Sequence, residues 1–358
     1  MGAEAGLKKR DRPPSRPRRG YTAQVKPAFV TQGREIFLRM ALALGGVLAI
    51  LAGLEASLRG CHRVHEYLES SRRPPIDRRI FVPSDDPELI FELRPGAESG
   101  VFRVNRWGLL GPDVEKTRPM GTFRVAVVGD SISCGFGLFA PARGWVALLG
   151  EALRSRLAAS PRYEVLNFGV NGYGIRQELQ MARRALAFQP DLLILQSTLN
   201  DPYPSAVPPY TPNHSRSRSQ AWDFLYRRLL TQRHWTMEMV TRNFDEEGLR
   251  AIGDGMRGFG EIRRGGTPVL VVLFPYLYAP AYPLWQIGQF HAVFAQAARE
   301  NQLDFLDLRE VFEREGIASD RWPQDPVHPS EQGHVLAAEV IERTLESRGL
   351  LPTRASDP

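Results

Sequence analysis

The sequence predicts an α/β fold: a three-layer αβα domain of the flavodoxin-like type, with a five-stranded parallel sheet, preceded by one transmembrane helix. Two observations predict it. After residue 121, short apolar segments alternate with longer amphipathic ones, which is typical of parallel strands joined by helical crossovers. Near the amino terminus, residues 40–54 contain no charged side chain, which is typical of a segment that crosses a bilayer.

The strand segments are short and almost uniformly apolar, as expected for strands that helices cover on both faces. They are residues 123–129, 163–168, 191–196, 268–274 and 304–308. Helices are predicted at residues 145–158, 175–188, 246–264, 284–300 and 330–348. Because crossovers are right-handed, the loops after these strands should open at one edge of the sheet.

The apolar segment near the amino terminus extends over residues 36–58 if Arg39 and Glu55 lie at the membrane interfaces. At about 1.5 Å per residue it would be roughly 34 Å long, enough to cross a hydrocarbon core of about 30 Å. The long basic segment before it and the absence of a small-residue cleavage site after it favour an uncleaved signal anchor. The segment ending at Cys61 loosely resembles a lipoprotein cleavage site, but Arg59 and the distant amino terminus disfavour lipidation there.

The charge distribution predicts the orientation of this anchor. The formal net charge is +6, and the first 35 residues account for all of it, with nine Lys or Arg and three acidic residues. The positive-inside rule then predicts a cytoplasmic amino terminus and a large carboxy-terminal domain outside, periplasmic or extracellular. The remaining chain is neutral, so we expect no nucleic-acid binding, which requires a basic surface.

These features divide the chain into successive segments. Residues 1–35 are predicted to be a basic, disordered cytoplasmic tail, residues 36–58 the anchor, and residues 59–80 a stalk. Residues 81–121 are predicted to form a small extended arm on the main domain, which spans residues 122–350. Residues 202–244 fit neither the strand nor the helix pattern, and so long an insertion is more often a lid or binding loop than a linker.

A serine and a histidine stand at positions that suit acyl transfer. Ser131 follows the first strand, at the carboxyl edge where open parallel sheets place their sites. A serine hydroxyl needs a base to remove its proton and a group to orient that base. His328 and Asp325, two intervening residues apart, can supply both functions. Candidate oxyanion donors follow the next two strands, at Gly172 and Asn200.

These residues, in the order Gly129-Asp130-Ser131, Gly172, Asn200-Asp201 and Asp325 to His328, resemble the four blocks of the SGNH/GDSL hydrolase family. The resemblance covers roughly residues 123–348. It implies that Ser131 is the nucleophile, that Asp325 and His328 complete a triad, and that Ser131 and Gly172 (backbone amides) and Asn200 (side chain) form the oxyanion hole. Residues 105–109, with a single anchor, also resemble bacterial membrane-tethered members linked to polysaccharide acyl groups.

We therefore expect a serine esterase that acts on an acylated small molecule or glycan, with O-acetyl groups of carbohydrate or cell-surface polysaccharide as candidates. An O-acyltransferase to a glycan hydroxyl uses the same residues and is the first alternative. A non-catalytic glycan-binding or assembly module is the alternative of another class. The sequence shows no metal-ligand spacing and no phosphate-loop ending after Gly129, so no metal or cofactor is expected. Cys134 is expected to pack in the core and not to pair with Cys61.

Overall fold

The structure is a computed structural model that describes residues 28–72, 80–99, 102–135, 138, 141–156, 161–203, 244–277, 284–317 and 327–352. Residues 1–57 and 58–358 form two compact units. Helix α1, Ala28–Arg72, contains one stretch long and apolar enough to cross a membrane, Arg34–Ser57. The helix begins before the predicted span and continues through residues 59–72, which the sequence analysis assigns to a stalk.

Four short strands come before the main sheet, within residues 81–103. They are β1 (Phe81–Pro83), β2 (Phe91–Leu93), β3 (Glu98–Ser99) and β4 (Phe102–Arg103). β1 pairs with β2 and β3 with β4, both antiparallel. Buried side chains of this segment, among them Leu89, Phe91 and Leu93, join the hydrophobic core of the main domain, which fixes the segment to it.

The main sheet has five parallel strands in the order β6-β5-β7-β8-β9, which confirms the predicted fold class. The strands are β5 (Thr122–Val128), β6 (Arg162–Asn167), β7 (Leu192–Ser197), β8 (Val269–Leu273) and β9 (Asp304–Asp307). Strands β6 and β7 are consecutive in the chain but lie on opposite sides of β5, so the strand order changes direction at this point. In open α/β sheets, sites form at such a reversal, outside the carboxyl ends of the strands.

Helices cover both faces of the sheet. They are α2 (Ser131–Cys134), α3 (Trp145–Arg154), α4 (Ile175–Ala185), α5 (Glu246–Arg264), α6 (Leu284–Glu300), α7 (Arg309–Arg314) and α8 (Glu331–Ser347). Side chains of α4, α5 and α6 share a core with Ala126 and Val128 of β5, whereas those of α3, α7 and α8 share one with Val125 and Val127. Successive strand residues point to opposite faces, so this alternation separates the two cores and makes the three layers.

Candidate active site

Ser131 is the first residue of α2, directly after the turn that ends β5. The Asp130 carboxylate caps this one-turn helix by accepting a hydrogen bond from the Ile132 N–H at 2.9 Å. Gly129 leaves no room for a side chain, because a Cβ there would lie 2.5 Å from Oε1 of Gln196. The Ser131 side chain is therefore held in a closely packed turn, with only 5% of its surface exposed.

The structure brings Ser131 and His328 together. His328 Nε2 lies 2.9 Å from Ser131 Oγ, within hydrogen-bonding distance, although 197 positions separate the two residues. His328 comes just before α8, whose first turn is capped by the Ser330 hydroxyl, the acceptor of the Gly333 N–H at 3.2 Å. Asp325, predicted to orient His328, lies outside the described residues.

Two backbone hydrogen bonds hold the loops that carry the predicted oxyanion donors, and the first of them reaches the turn of Ser131. Val170 N donates to Gly129 O at 3.1 Å, which ties the loop after β6 to the residue before Asp130. Ile175 N donates to Asp201 O at 3.0 Å, which joins the start of α4 to the loop after β7. Gly172 lies between these two contacts with a φ of 88°, a conformation that glycine adopts without strain.

The predicted oxyanion donors differ in the hydrogen bonds that their groups already make. Among the described residues, no acceptor is found for the backbone N–H of Ser131 or of Gly172. The Asn200 side-chain oxygen accepts a hydrogen bond from the Thr198 hydroxyl, which turns the amide NH₂ group of Asn200 away from Thr198. The two N–H bonds of that amide nitrogen can donate to another acceptor.

Three carboxyl groups are fully buried next to this turn: Asp130, Asp201 and Glu178. Burial raises the pKa of Glu178 well above its usual value, and the charges of Asp201 and Asp130 raise it further. Burial and the charge of Asp130 likewise raise the pKa of Asp201. Burial also raises the pKa of Asp130, against a lowering contribution from His328. These raised pKa values favour the protonated, neutral form of the buried carboxyl groups.

Sequence reasoning missed Glu178. A signal was present, since Glu178 is spaced three and four residues from Ile175 and Ala182, both buried on α4. An acidic residue on the apolar face of a helix needs a partner or a proton. Within the described part of the chain, neither carboxyl oxygen of Glu178 has a hydrogen-bond partner.

Two further histidines, His334 and His291, make hydrogen bonds of their own away from Ser131. His334 is fully buried and accepts the Trp145 N–H at Nδ1 across 3.2 Å. His291 has its Nδ1 2.9 Å from the Asp307 carboxylate, because α6 and β9 pack together. Although burial opposes it, the hydrogen bond and charge of His291 lower the pKa of Asp307.

Cys134 is buried and free, and burial together with the charge of Asp130 raises the pKa of its thiol to about 12. It is therefore an inert core residue at neutral pH. No group of three or more His, Cys, Asp or Glu side chains in the described ranges is arranged to hold a metal ion.

The chain is similar to one known protein family and to several solved structures. Residues 127–336 match the sequence profile of the GDSL-like lipase/acylhydrolase family. No curated protein sequence matches the chain. Similar solved structures include TesA, at 20% identity over 63% of this chain and 98% of that one, with a TM-score of 0.44. Another is a catalytic mutant of Axe2, an acetylxylan esterase from Geobacillus stearothermophilus, at 19% identity over 62% and 93%, with a TM-score of 0.42.

A third is the lipase/acylhydrolase from Enterococcus faecalis, at 17% identity over 63% of this chain and 96% of that one, with a TM-score of 0.43. These similarities concern the fold. The profile match carries the assignment, because it spans more than half of the chain and includes the turn of Ser131 as well as the loop of His328. The protein belongs to the GDSL-like lipase/acylhydrolase family and is an esterase of the SGNH/GDSL type.

Proposed function

We propose that this protein hydrolyses acyl esters of carbohydrate through an acyl-enzyme on Ser131, with His328 as general base and acid. The observation that carries the proposal is the 2.9 Å distance between His328 Nε2 and Ser131 Oγ. This is the separation at which an imidazole can remove the hydroxyl proton as the oxygen attacks a carbonyl.

The proposed reaction has two steps. In the first, Ser131 Oγ attacks the ester carbonyl while His328 Nε2 takes its proton. His328 then gives that proton to the departing alcohol. In the second step, His328 removes a proton from water, which attacks the acyl-enzyme carbonyl. His328 then returns that proton to the departing Ser131 Oγ, which releases the acid and restores the free enzyme. The spacing of Asp325 in the sequence supports a role in orienting His328.

Both tetrahedral intermediates carry a negative oxygen that needs hydrogen-bond donors. The Ser131 and Gly172 N–H groups suit this role because they have no acceptor among the described residues. The Asn200 side chain is the third proposed donor. The hydrogen bond from Thr198 supports this assignment. It engages the amide oxygen of Asn200, so the NH₂ group points away from Thr198.

The proposed substrate class rests on location. Among the residues that the structure describes, one helix, near the amino terminus, is long and apolar enough to span a membrane. The positive charges that precede it favour a cytoplasmic amino terminus and an outward-facing catalytic domain. A domain in that position would meet cell-surface or periplasmic glycans, whose O-acyl groups are esters. No nucleic-acid partner is proposed, because the chain after residue 35 is neutral.

The test uses the full-length protein in detergent, with aryl acetates and acetylated oligosaccharides as substrates. We expect Ser131→Ala and His328→Ala to lower kcat at least about a thousandfold, as in other acyl-transfer triads, with the thermal unfolding transition retained. A fluorophosphonate probe should label the wild type and leave Ser131→Ala unlabelled. Near wild-type turnover in a folded Ser131→Ala variant would overturn the proposal.

The same assay separates hydrolysis from acyl transfer. With an unacylated oligosaccharide added as acceptor, an esterase releases free acetate in proportion to ester consumed. A transferase instead forms new acetylated sugar, and acetate release falls by the same amount. A binding or assembly module would show no Ser131-dependent turnover of any ester.

A further inference from the structure

The helix that carries Ser131 is held by an amide side chain from each of the two strands beside β5. On the β7 side, Gln196 is fully buried and its Oε1 accepts three hydrogen bonds. The donors are the Asp130 N–H at 3.2 Å, the Ser133 N–H at 3.1 Å and the Ser133 hydroxyl at 2.8 Å. These donors lie on both sides of Ser131 in the chain.

On the β6 side, Asn167 contacts the same turn, also at Ser133. Its side-chain NH₂ group donates to Ser133 O at 2.8 Å, and its Oδ1 accepts the Gly169 N–H at 2.8 Å. A Cβ at Gly169 would lie 2.7 Å from the Ser133 Cβ, so the loop after β6 presses directly against α2. Leu110 N in turn donates to Asn167 O at 3.1 Å, which connects the preceding extended segment to this contact.

These hydrogen bonds matter for the position of Ser131 because α2 is too short to be stable by itself. It has four residues, Ser131–Cys134, and a helix this short is not stable without tertiary contacts. In the described part of the chain, Gln196 provides the only hydrogen-bond acceptor for the Ser133 N–H. The direction of the Ser131 hydroxyl, and hence its distance to His328, therefore depends on how the side chains of β6 and β7 fix the turn.

We propose that Gln196 and Asn167 are positioning residues for the nucleophile: they act through Ser133 and Asp130 to set the Ser131 hydroxyl against His328. This inference rests on the proposed role of Ser131 as nucleophile. It predicts effects on the chemical step, since neither side chain needs to touch the substrate. A displacement of about 1 Å at a reacting atom is enough to cost about a hundredfold in rate.

The experiment measures three quantities on the full-length protein: kcat and KM for an aryl acetate, the rate constant of fluorophosphonate labelling, and the melting temperature. Gln196→Met keeps the length of the side chain and removes the acceptor, and Asn167→Ala removes the amide on the other side. Ser133→Ala removes one of the three hydrogen bonds to Gln196 and should disturb folding least. Gln196→Met and Ser133→Ala are also combined in a double-mutant cycle.

Ile194→Ala is the matched control. Ile194 is fully buried on the same strand and the same face as Gln196, two residues earlier, and it makes no hydrogen bond to α2 through its side chain. The control should lower the melting temperature while leaving kcat and the labelling rate of the folded enzyme unchanged. It separates loss of core packing from loss of nucleophile orientation.

We expect Gln196→Met to lower kcat and the labelling rate constant by about tenfold to a hundredfold in parallel, with KM little changed. Asn167→Ala and Ser133→Ala should each lower kcat by about threefold to tenfold. The loss of kcat in the double variant should be smaller than the product of the two single losses. Wild-type kcat in folded Gln196→Met would overturn the inference, as would wild-type kcat in Ser133→Ala if Gln196→Met fails to fold. Failure of the proposed function is a distinct result, because the wild-type protein itself would then not be labelled at Ser131.

Discussion

Trp145 donates its backbone N–H to Nδ1 of His334 across 3.2 Å, and both residues are completely buried. This bond joins the first turn of α3 to the first turn of α8, the helix that directly follows His328. His334 must be neutral to accept it, and burial lowers its pKa to about 3, with a further contribution from the charge of His328. The packing that places His328 thus depends on an uncharged imidazole.

The first prediction concerns acid stability. Unfolded His334 gains a proton near its ordinary pKa of 6.5, whereas the folded residue resists it down to about 3. Stability from this residue is therefore complete above pH 6.5 and is lost as the pH falls towards 3, at about 1.4 kcal/mol per pH unit. Between pH 6.5 and 5, the free energy of unfolding should fall by about 2 kcal/mol more in the wild type than in His334→Gln, whose side chain does not titrate. Urea unfolding at both pH values measures this, and equal losses would contradict it.

The second prediction concerns Glu178, whose pKa is raised by burial and by its acidic neighbours. The folded state then holds a proton that the unfolded chain releases above its ordinary pKa of 4.5, so stability falls as the pH rises from 4.5 through the folded pKa. Glu178→Gln keeps the shape and removes the titration. It should therefore raise the melting temperature more at pH 8 than at pH 4.5.

Glu261→Gln serves as the control for this second prediction, since Glu261 is exposed on α5 and its substitution should change little at either pH. A Glu178→Gln variant that is less stable than the wild type at pH 8 would show that the buried carboxylate is charged and compensated.

Much of this architecture could be predicted because it depends on local patterns. The five strands and the helices α5 and α6 follow from apolar periodicity, and their observed bounds lie within one or two residues of the prediction. The contact between Ser131 and His328 follows from topology, because the loops after parallel strands meet at one edge of the sheet. Neither inference needs knowledge of side-chain packing.

What could not be predicted depends on contacts between distant side chains. Arg124 lies in an apolar strand segment, yet it is fully buried and paired with Glu164 at 2.6 Å. The contacts of Gln196 and Asn167 with α2 could not be predicted either, because a strand pattern indicates which residues are buried and not their hydrogen-bond partners. Strand β1 leaves almost no pattern in the sequence, because it has only three residues and ends in proline.

The third prediction concerns Asn200 as an oxyanion donor. Asn200→Ala should lower kcat by about a hundredfold or more with KM nearly unchanged, because the donor acts mainly in the transition state. Thr198→Val removes the hydroxyl that orients Asn200 and should give a smaller loss in the same direction. Steady-state kinetics with an aryl acetate measures both. An effect confined to KM would assign Asn200 to substrate binding.

The last prediction concerns topology. Nine Lys or Arg residues precede the apolar segment Arg34–Ser57 or lie at its start, and the chain after residue 35 is neutral. The positive-inside rule then favours a cytoplasmic amino terminus. Protease added to intact spheroplasts should digest the domain that follows Arg73 and spare an epitope placed at residue 1. Permeabilised spheroplasts, in which both should be digested, provide the control.

A variant with Gln in place of Arg18, Arg19, Lys26 and Arg34 tests the cause of this orientation, since charges within about 20 residues of the span carry most of the effect. It should leave part of the population with a protected catalytic domain. If the wild-type domain were protected until permeabilisation, the outward orientation and the preference for surface glycans would both be wrong. The chemistry proposed for Ser131 and His328 would be unaffected, because it rests on their contact and not on the membrane.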